Sequence, residues 1–241
     1  MMMDKGLSLR QVEDFIESSA DCTDFVKLGF GTSIITNQLK EELKLYKQAN
    51  IRPYFGGTLF EAFIVRNMFD DYLKYIDTFE IDLAEVSDGS MMIPHKKKLE
   101  YIQKLSQRVT VLSEVGSKIK GVHIPPSAWV DMMKTELETG AFKVIAEARE
   151  SGTIGIYNSD GTVNEALICT ISDNLDPASI IWEAPNSKQQ VWFIKLFGPN
   201  VNLGNIAPDT VFALECLRLG LRGDTFFDSL PEEMQKFKQV D

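Results

Sequence analysis

The chain has 241 residues, 44% of them hydrophobic, and a formal net charge of −10. That length and apolar content suffice for one sizeable core, so a single domain over residues 1–241 is expected. The acidic balance excludes nucleic acid and an anionic membrane surface as main partners, because both require a basic face.

Strand-like apolar runs fall at residues 1–3, 24–30, 52–55, 80–86, 109–115, 143–148, 179–184 and 200–203. The stretches between them carry helical periodicity. Leu39, Leu43 and Tyr46 share one helical face, as do Leu99, Ile102 and Leu105, and Val211, Leu214 and Leu217 repeat the spacing. Pro208 followed by Asp209 marks a helix start. Strict strand–helix alternation implies parallel strands with right-handed crossovers, and eight units predict an α/β fold, a closed (β/α)8 TIM barrel. The alternative is an open doubly wound sheet, which the lack of a G-x-G-x-x-G after the first strand disfavours. The first strand is short and begins at the first residue, so a frayed or incomplete barrel seam is expected there. Residues 121–126 form the longest predicted irregular stretch, a loop placed to cover what precedes it.

Cys22, Cys169 and Cys216 are widely spaced, odd in number and without a C-x-x-C pair, which excludes a disulfide framework or zinc site and leaves them as small core residues. His95 and His123, the only histidines, stand in polar, loop-like contexts and read as surface residues. A metal ion, if bound, is then expected to be a hard, oxygen-liganded cation such as Mg2+. No apolar run approaches the ~18 residues of a membrane span and no leader is recognisable, so a cytoplasmic location is expected.

The most informative stretch is T-V-L-S-E-V-G-S-K at 110–118, an apolar strand that ends in Glu114 and Lys118. In a barrel of this kind the site lies at the C-terminal strand ends, where rigid elements aim side chains at one mouth. Four consecutive strands end with glutamate in the same phase: Glu85, Glu114, Glu147 and Glu183. Glu61 and Asp88 lie just beyond neighbouring strands. Taken singly, each acid reads as a strand-end charge paired with a helix. Four around one mouth repel, and require a cation, bound protons or interleaved basic groups. Lys5, Lys27, Lys118 and Arg149 are the basic candidates, and the Arg149 guanidinium suits bidentate binding of phosphate or carboxylate. Gly29, Gly31, Gly56, Gly57, Gly89 and Gly204 follow strands, where glycine lets backbone amides approach an anion, and the helix near Pro208 would complete a phosphate cradle.

The motifs K-L-G-F-G-T-S (27–33), G-G-T-L-F-E (56–61), E-V-S-D-G-S (85–90), V-L-S-E-V-G-S-K (111–118), E-A-R-E-S-G (147–152), E-A-P (183–185) with Gln189 and Gln190, N-V-N-L-G-N-I (200–206) and G-L-R-G-D-T-F (220–226) resemble the phosphosulfolactate synthase family. The resemblance runs in order over nearly the whole chain. It implies a (β/α)8 barrel, expected to form homo-oligomers in that family's manner, that adds sulfite to phosphoenolpyruvate with Mg2+ as cofactor. It places the general acid at Lys118, with Glu114 and Lys27 beside it. Phosphate binding would fall to Arg149, Ser151, Gly204, Asn205 and Lys5, and metal binding to Glu85, Glu147 and Glu183. Trp129, Met132 and Met133 read equally as an oligomer interface or as core. The product leads toward coenzyme M or to free sulfolactate, and the chain carries no mark of either fate. Two alternatives stay open: a different nucleophile adding to the enol phosphate, and a non-catalytic role, since plant heat-stress-associated proteins resemble the same family.

Overall fold

A computed structural model describes residues 1–119, 121–228 and 230–238. Its eight strands are β1 (Met2–Asp4), β2 (Phe25–Leu28), β3 (Arg52–Phe55), β4 (Leu83–Val86), β5 (Thr110–Val115), β6 (Lys143–Ala146), β7 (Ile180–Glu183) and β8 (Leu203–Gly204). They pair in parallel in the order β1 to β8, so the predicted TIM barrel is the observed architecture rather than the open sheet. The seam, expected to be frayed or incomplete, carries no β1–β8 ladder among the described residues and is joined by a single isolated bridge: Met2 pairs with Ile206, and the Met3 N–H donates to the Ile206 carbonyl at 2.8 Å.

Nine α-helices cover the barrel among the described residues: α1 (Leu9–Ser19), α2 (Leu39–Gln48), α3 (Gly57–Ile64), α4 (Phe69–Thr78), α5 (His95–Ser106), α6 (Pro126–Thr139), α7 (Glu165–Ser172), α8 (Ser187–Phe197) and α9 (Val211–Arg218). Each turns an apolar stripe to the outer barrel wall, where burial supplies about 25 cal/mol per Å² of apolar surface. The stripes read from sequence are among them: Leu39, Leu43 and Tyr46 of α2, Ile102 and Leu105 of α5, and Val211, Leu214 and Leu217 of α9 are buried. Ser8 caps α1 with Gln11 in a reciprocal box. Pro208 begins a 3-10 turn that leads into α9 rather than the helix itself.

Three expectations need correction. Strand β4 starts at Leu83, not at residue 80, because Glu80 takes a left-handed φ of 52° in the turn that closes α4. The longest irregular segment runs from 147 to 164, between β6 and α7, while Pro126 belongs to the first turn of α6. The cysteines are not core: Cys22 and Cys169 are exposed and Cys216 is half-buried. Trp129 and Met133 are buried in the helix-layer core and Met132 packs against it, so this trio is not an exposed interface. Among the described residues no helix is long and apolar enough to cross a membrane.

Inside the barrel the pleat alternates, and at β2, β4, β5, β6 and β7 an apolar inward residue is followed two positions on by a charged one. Tyr54, Leu83, Leu112, Ile145 and Ile181 form the lower layer, with Phe25 packed against it. Two residues further along the same strands come Glu85, Glu114, Glu147 and Glu183, and Lys27 follows Phe25 on β2. The fold thereby collects distant glutamates into one layer.

A second buried acid pair lies where β1 leaves the barrel. Asp4 accepts the N–H groups of Gly6 and Leu7 at 2.8 and 2.9 Å and the Tyr46 hydroxyl at 2.7 Å. Burial and the neighbouring Asp4 push the Glu42 carboxyl from 4.5 up to about 8. The folded chain therefore holds a proton that the unfolded chain releases, and stability present below pH 4.5 is lost as pH rises toward 8. Thermal unfolding followed across that window should show a falling midpoint in the parent and a flatter profile in Glu42→Gln; parallel profiles would refute the assignment.

Candidate active site

Lys27 stands at the centre of the charged layer. Its Nζ lies 2.9 Å from Glu114 Oε2, 3.0 Å from Glu85 Oε1 and 3.7 Å from Glu183 Oε1. Burial alone would lower the Lys27 pKa, but Glu114, Glu85 and Glu183 together hold it well above the ordinary lysine value. Lys27 is thus a fixed cation in the barrel axis. Glu85 reaches this position because the Gly57 N–H donates to its Oε1 at 2.7 Å. A Cβ at Gly57 would sit 2.3 Å from Ser87 Cβ and 2.4 Å from Glu85 Oε1, so only glycine permits this approach.

Glu114 divides its two oxygens. Oε2 faces Lys27, while Oε1 receives the Lys118 ammonium at 2.8 Å and lies 2.9 Å from Ser87 Oγ. The same Ser87 hydroxyl lies 2.7 Å from Glu61 Oε1, which also accepts the Ser90 N–H at 3.3 Å. Burial would raise the Glu114 pKa, yet Lys118 and Lys27 draw it well below the usual carboxylate range. Lys118 Nζ also lies 3.5 Å from Glu147 Oε2. Burial opposes the Lys118 charge, and Glu114 and Glu147 outweigh it and raise its pKa. The lysine is therefore an ammonium at neutral pH.

Four buried carboxyls, Glu85, Glu114, Glu147 and Glu183, face two ammonium groups in this layer. The excess is felt at three of them: burial raises Glu85 against the pull of Lys27, and Glu147 and Glu183 are raised as well. Burial and the charges of Glu114 and Glu183 push Glu147 well up, and burial raises Glu183 to about 7 against the pull of Lys27. Neither oxygen of Glu147 has a hydrogen-bond partner. One oxygen each of Glu114, Glu147 and Glu183 falls within 4.8 Å of the others, an all-oxygen set that fits a hard divalent cation. Glu85, grouped with the metal ligands on sequence, is not in this set: it is turned toward Gly57 and Lys27, and Glu114 takes its place.

Above this floor opens a cavity of about 440 Å³. Arg149, Ser151 and Asn205 line one wall, and Gly56, Gly57, Thr58 and Ser90 line the other. Arg149 has no ion-pair partner among the described residues, unlike Lys27 and Lys118. The Asn205 side chain donates to the Ala148 carbonyl at 3.0 Å and ties the β8 turn to the Arg149 segment. Two sequence candidates lie elsewhere. Lys5 pairs with Glu150 at the half-exposed rim, and Gly204 is packed inside the barrel, where a Cβ would meet Met1 Cε at 2.5 Å and Ile181 Cγ2 at 2.9 Å.

Sequence reasoning missed Lys98 and Glu136. Lys98 follows His95, Lys96 and Lys97 in an all-polar run, yet it is 1% exposed and its Nζ is 2.9 Å from Glu136 Oε1. Its helical phase with Ile102 and Leu105 was the available signal. His95, read as a surface residue, joins the same group through Nε2, 3.1 Å from Glu136 Oε1.

Removing one partner of a buried ionic group leaves the others uncompensated and costs about 3–5 kcal/mol. Lys27→Met should accordingly lower the unfolding free energy extrapolated from urea titration by an amount in that range, seen as a lower midpoint. An unchanged midpoint would mean that the glutamates do not need the ammonium.

Known proteins resemble the chain over most of its length. The model of the family described as (2R)-phospho-3-sulfolactate synthase (ComA) matches residues 1–224. The chain is similar to the phosphosulfolactate synthase of Bacillus subtilis strain 168, 42% identical over 94% of this chain and 91% of that protein. It is also 40% identical to the phosphosulfolactate synthase of Methanocaldococcus jannaschii over 94% of this chain and 92% of that protein. Among solved structures, 3-hexulose-6-phosphate synthase from Salmonella typhimurium superposes with a TM-score of 0.54 at 15% identity, covering 90% of this chain and 98% of that one. Thiamine phosphate pyrophosphorylase from Pyrococcus furiosus gives 0.54 at 12% identity, covering 90% and 92%. These structural likenesses show the barrel fold alone. By the family model and by identity with its curated members, the chain belongs to the phosphosulfolactate synthase family.

Proposed function

We propose that the chain is a phosphosulfolactate synthase, a carbon–sulfur lyase that adds sulfite to phosphoenolpyruvate to give (2R)-phospho-3-sulfolactate in the presence of Mg2+. The observation that carries the reading is the Lys118 ammonium, held 2.8 Å from Glu114 Oε1 at the floor of an open cavity with an uncommitted arginine on its wall. Its substrates would be small anions, and family membership supports that choice.

The sulfur lone pair of sulfite forms a bond to the methylene carbon of phosphoenolpyruvate. The displaced π electrons move toward the carbon bearing the phosphate and into the adjoining carboxylate. Lys118 then delivers a proton to that carbon and becomes a neutral amine, which regains a proton from solvent before the next turnover. A strongly raised lysine pKa keeps the donor loaded, and the enolate-like carbon is basic enough to take its proton. Arg149 holds the phosphate through its planar guanidinium, with Ser151 and Asn205 alongside. Glu114, Glu147 and Glu183 would hold Mg2+, which when bound supplies positive charge against the carboxylate on which negative charge gathers. Lys27 keeps the glutamates in register from below.

Phosphorus NMR tests the reading directly. With phosphoenolpyruvate, sulfite and Mg2+ a new phosphate-ester resonance is expected, absent without sulfite, without Mg2+ and with Lys118→Ala. A resonance that forms with another nucleophile and not with sulfite would reassign the substrate, and a silent folded protein would favour the non-catalytic role. For Arg149→Ala the KM for phosphoenolpyruvate should rise about tenfold or more, corresponding to a lost charge-assisted contact of about 1.5–3 kcal/mol. A KM within twofold of the parent would remove Arg149 from the phosphate site.

A further inference from the structure

Lys98 lies outside the barrel wall, between α5, α6 and β5, and does not reach the cavity. Its ammonium has three hydrogens and three acceptors: the Glu114 carbonyl at 2.6 Å, Glu136 Oε1 at 2.9 Å and Asp88 Oδ1 at 3.0 Å. It is a saturated buried cation, and two of its three anchors belong to the machinery around Lys118.

The first anchor is the main chain of Glu114, whose side chain carries Lys27 and Lys118. The second, Asp88, belongs to the turn 87–90 that supports Lys118 from the β4 side. In that turn the Gly89 carbonyl accepts the Lys118 N–H at 2.9 Å. A Cβ placed on Gly89 would stand 3.3 Å from Lys118 Cγ and Cδ and 3.4 Å from Glu114 Oε1, so the lysine side chain rests on the turn. Ser87, at the head of the turn, places its Oγ 2.9 Å from Glu114 Oε1. The third anchor, Glu136, fixes α6 to both. One ammonium thus sets the relative position of the strand end, the turn and the helix.

A simpler account makes Lys98 a counter-charge for Glu136 alone. That account leaves Asp88 unexplained. Its carboxylate remains 23% exposed on the side chain and would be well solvated if turned outward, yet it is held inward on the ammonium. Bringing a partly exposed carboxylate onto a buried cation gains little net stability, because lost hydration offsets the Coulombic attraction, so the contact is not explained by stability alone.

We propose that Lys98, acting through Asp88 and the Glu114 backbone, is the positioning residue that aligns Lys118 for proton delivery. The proposal rests on the reading of Lys118 as proton donor. Misplacement of a reacting group by about 1 Å costs on the order of a hundredfold in rate, so a loosened turn should be visible in turnover.

The test uses the full chain with Mg2+, phosphoenolpyruvate and sulfite, and compares the parent with Asp88→Asn, Lys98→Met and Lys118→Ala. Asp88→Asn removes the charge of one anchor at a partly exposed position and is the variant expected to fold even where Lys98→Met does not. Its kcat should fall about tenfold or more with both KM values within about twofold, and the solvent deuterium isotope effect on kcat should rise as proton transfer becomes more limiting. Its circular dichroism and unfolding midpoint should stay close to the parent. A parent-like kcat and isotope effect in folded Asp88→Asn, with Lys118→Ala inactive, would overturn the positioning role alone. A loss of rate matched by the loss of folded fraction, with an unchanged isotope effect, would overturn it equally. Activity surviving in Lys118→Ala would instead defeat the proton-donor reading on which the proposal stands.

Discussion

Four carboxyls and two ammonium groups share the upper layer of the barrel, and the need to bury this layer governs much of what surrounds it. Ions out of water are tolerated only when opposite charges and hydrogen-bond donors replace the lost hydration. Lys27 meets that need for Glu85, Glu114 and Glu183. Backbone N–H groups meet part of the rest, from Gly57 to Glu85 and from Ala148 to Glu183. What remains is Glu85 Oε2 and both oxygens of Glu147, which have no hydrogen-bond partner, so the layer retains a capacity for a proton or a cation. The donor set of such a layer is all oxygen, the chemistry of a hard-cation site, with no histidine or cysteine among Glu114, Glu147 and Glu183.

The apolar layer beneath makes the arrangement rigid. Tyr54, Leu83, Leu112, Ile145 and Ile181 fill the lower barrel, and the charged residues two positions along inherit the same strand geometry. The helices add a second constraint from outside. Lys98 and Glu136 connect α5 and α6 to the back of β5, so the strand end bearing Glu114 is held on both faces. The cavity above is left to less constrained groups, with Arg149 facing it from the long segment that follows β6. A net charge of −10 does not prevent anion binding under these conditions, because the local cations stand at the cavity floor and wall.

The fold was legible because its signal is periodic. Every one of the eight strands was marked by an apolar run, and α2 and α9 by their stripes, independent of any long-range contact. Boundaries were less legible where a single backbone angle decided them, as at Glu80, whose left-handed conformation delays β4 to Leu83. The candidate site was legible in kind: glutamates in phase at the ends of β4, β5 and β7 and just after β6 must converge if the sheet closes. Which oxygen faces which neighbour was not, since Glu85 and Glu114 look alike in sequence and differ only in what Gly57 and Lys118 offer them.

Sequence alone therefore determined the alternation of elements, the barrel class and the family, together with the set of acids and bases at the strand ends, because each is written in local pattern or ordered motif. Only the tertiary structure decided that Glu114 joins Glu147 and Glu183, that Lys5 lies at the rim and Gly204 inside the wall, and that Lys98 is buried against the back of Glu114. These outcomes depend on distances between residues far apart in the chain, and such distances are fixed by closure and packing of the whole barrel rather than by any stretch of its sequence.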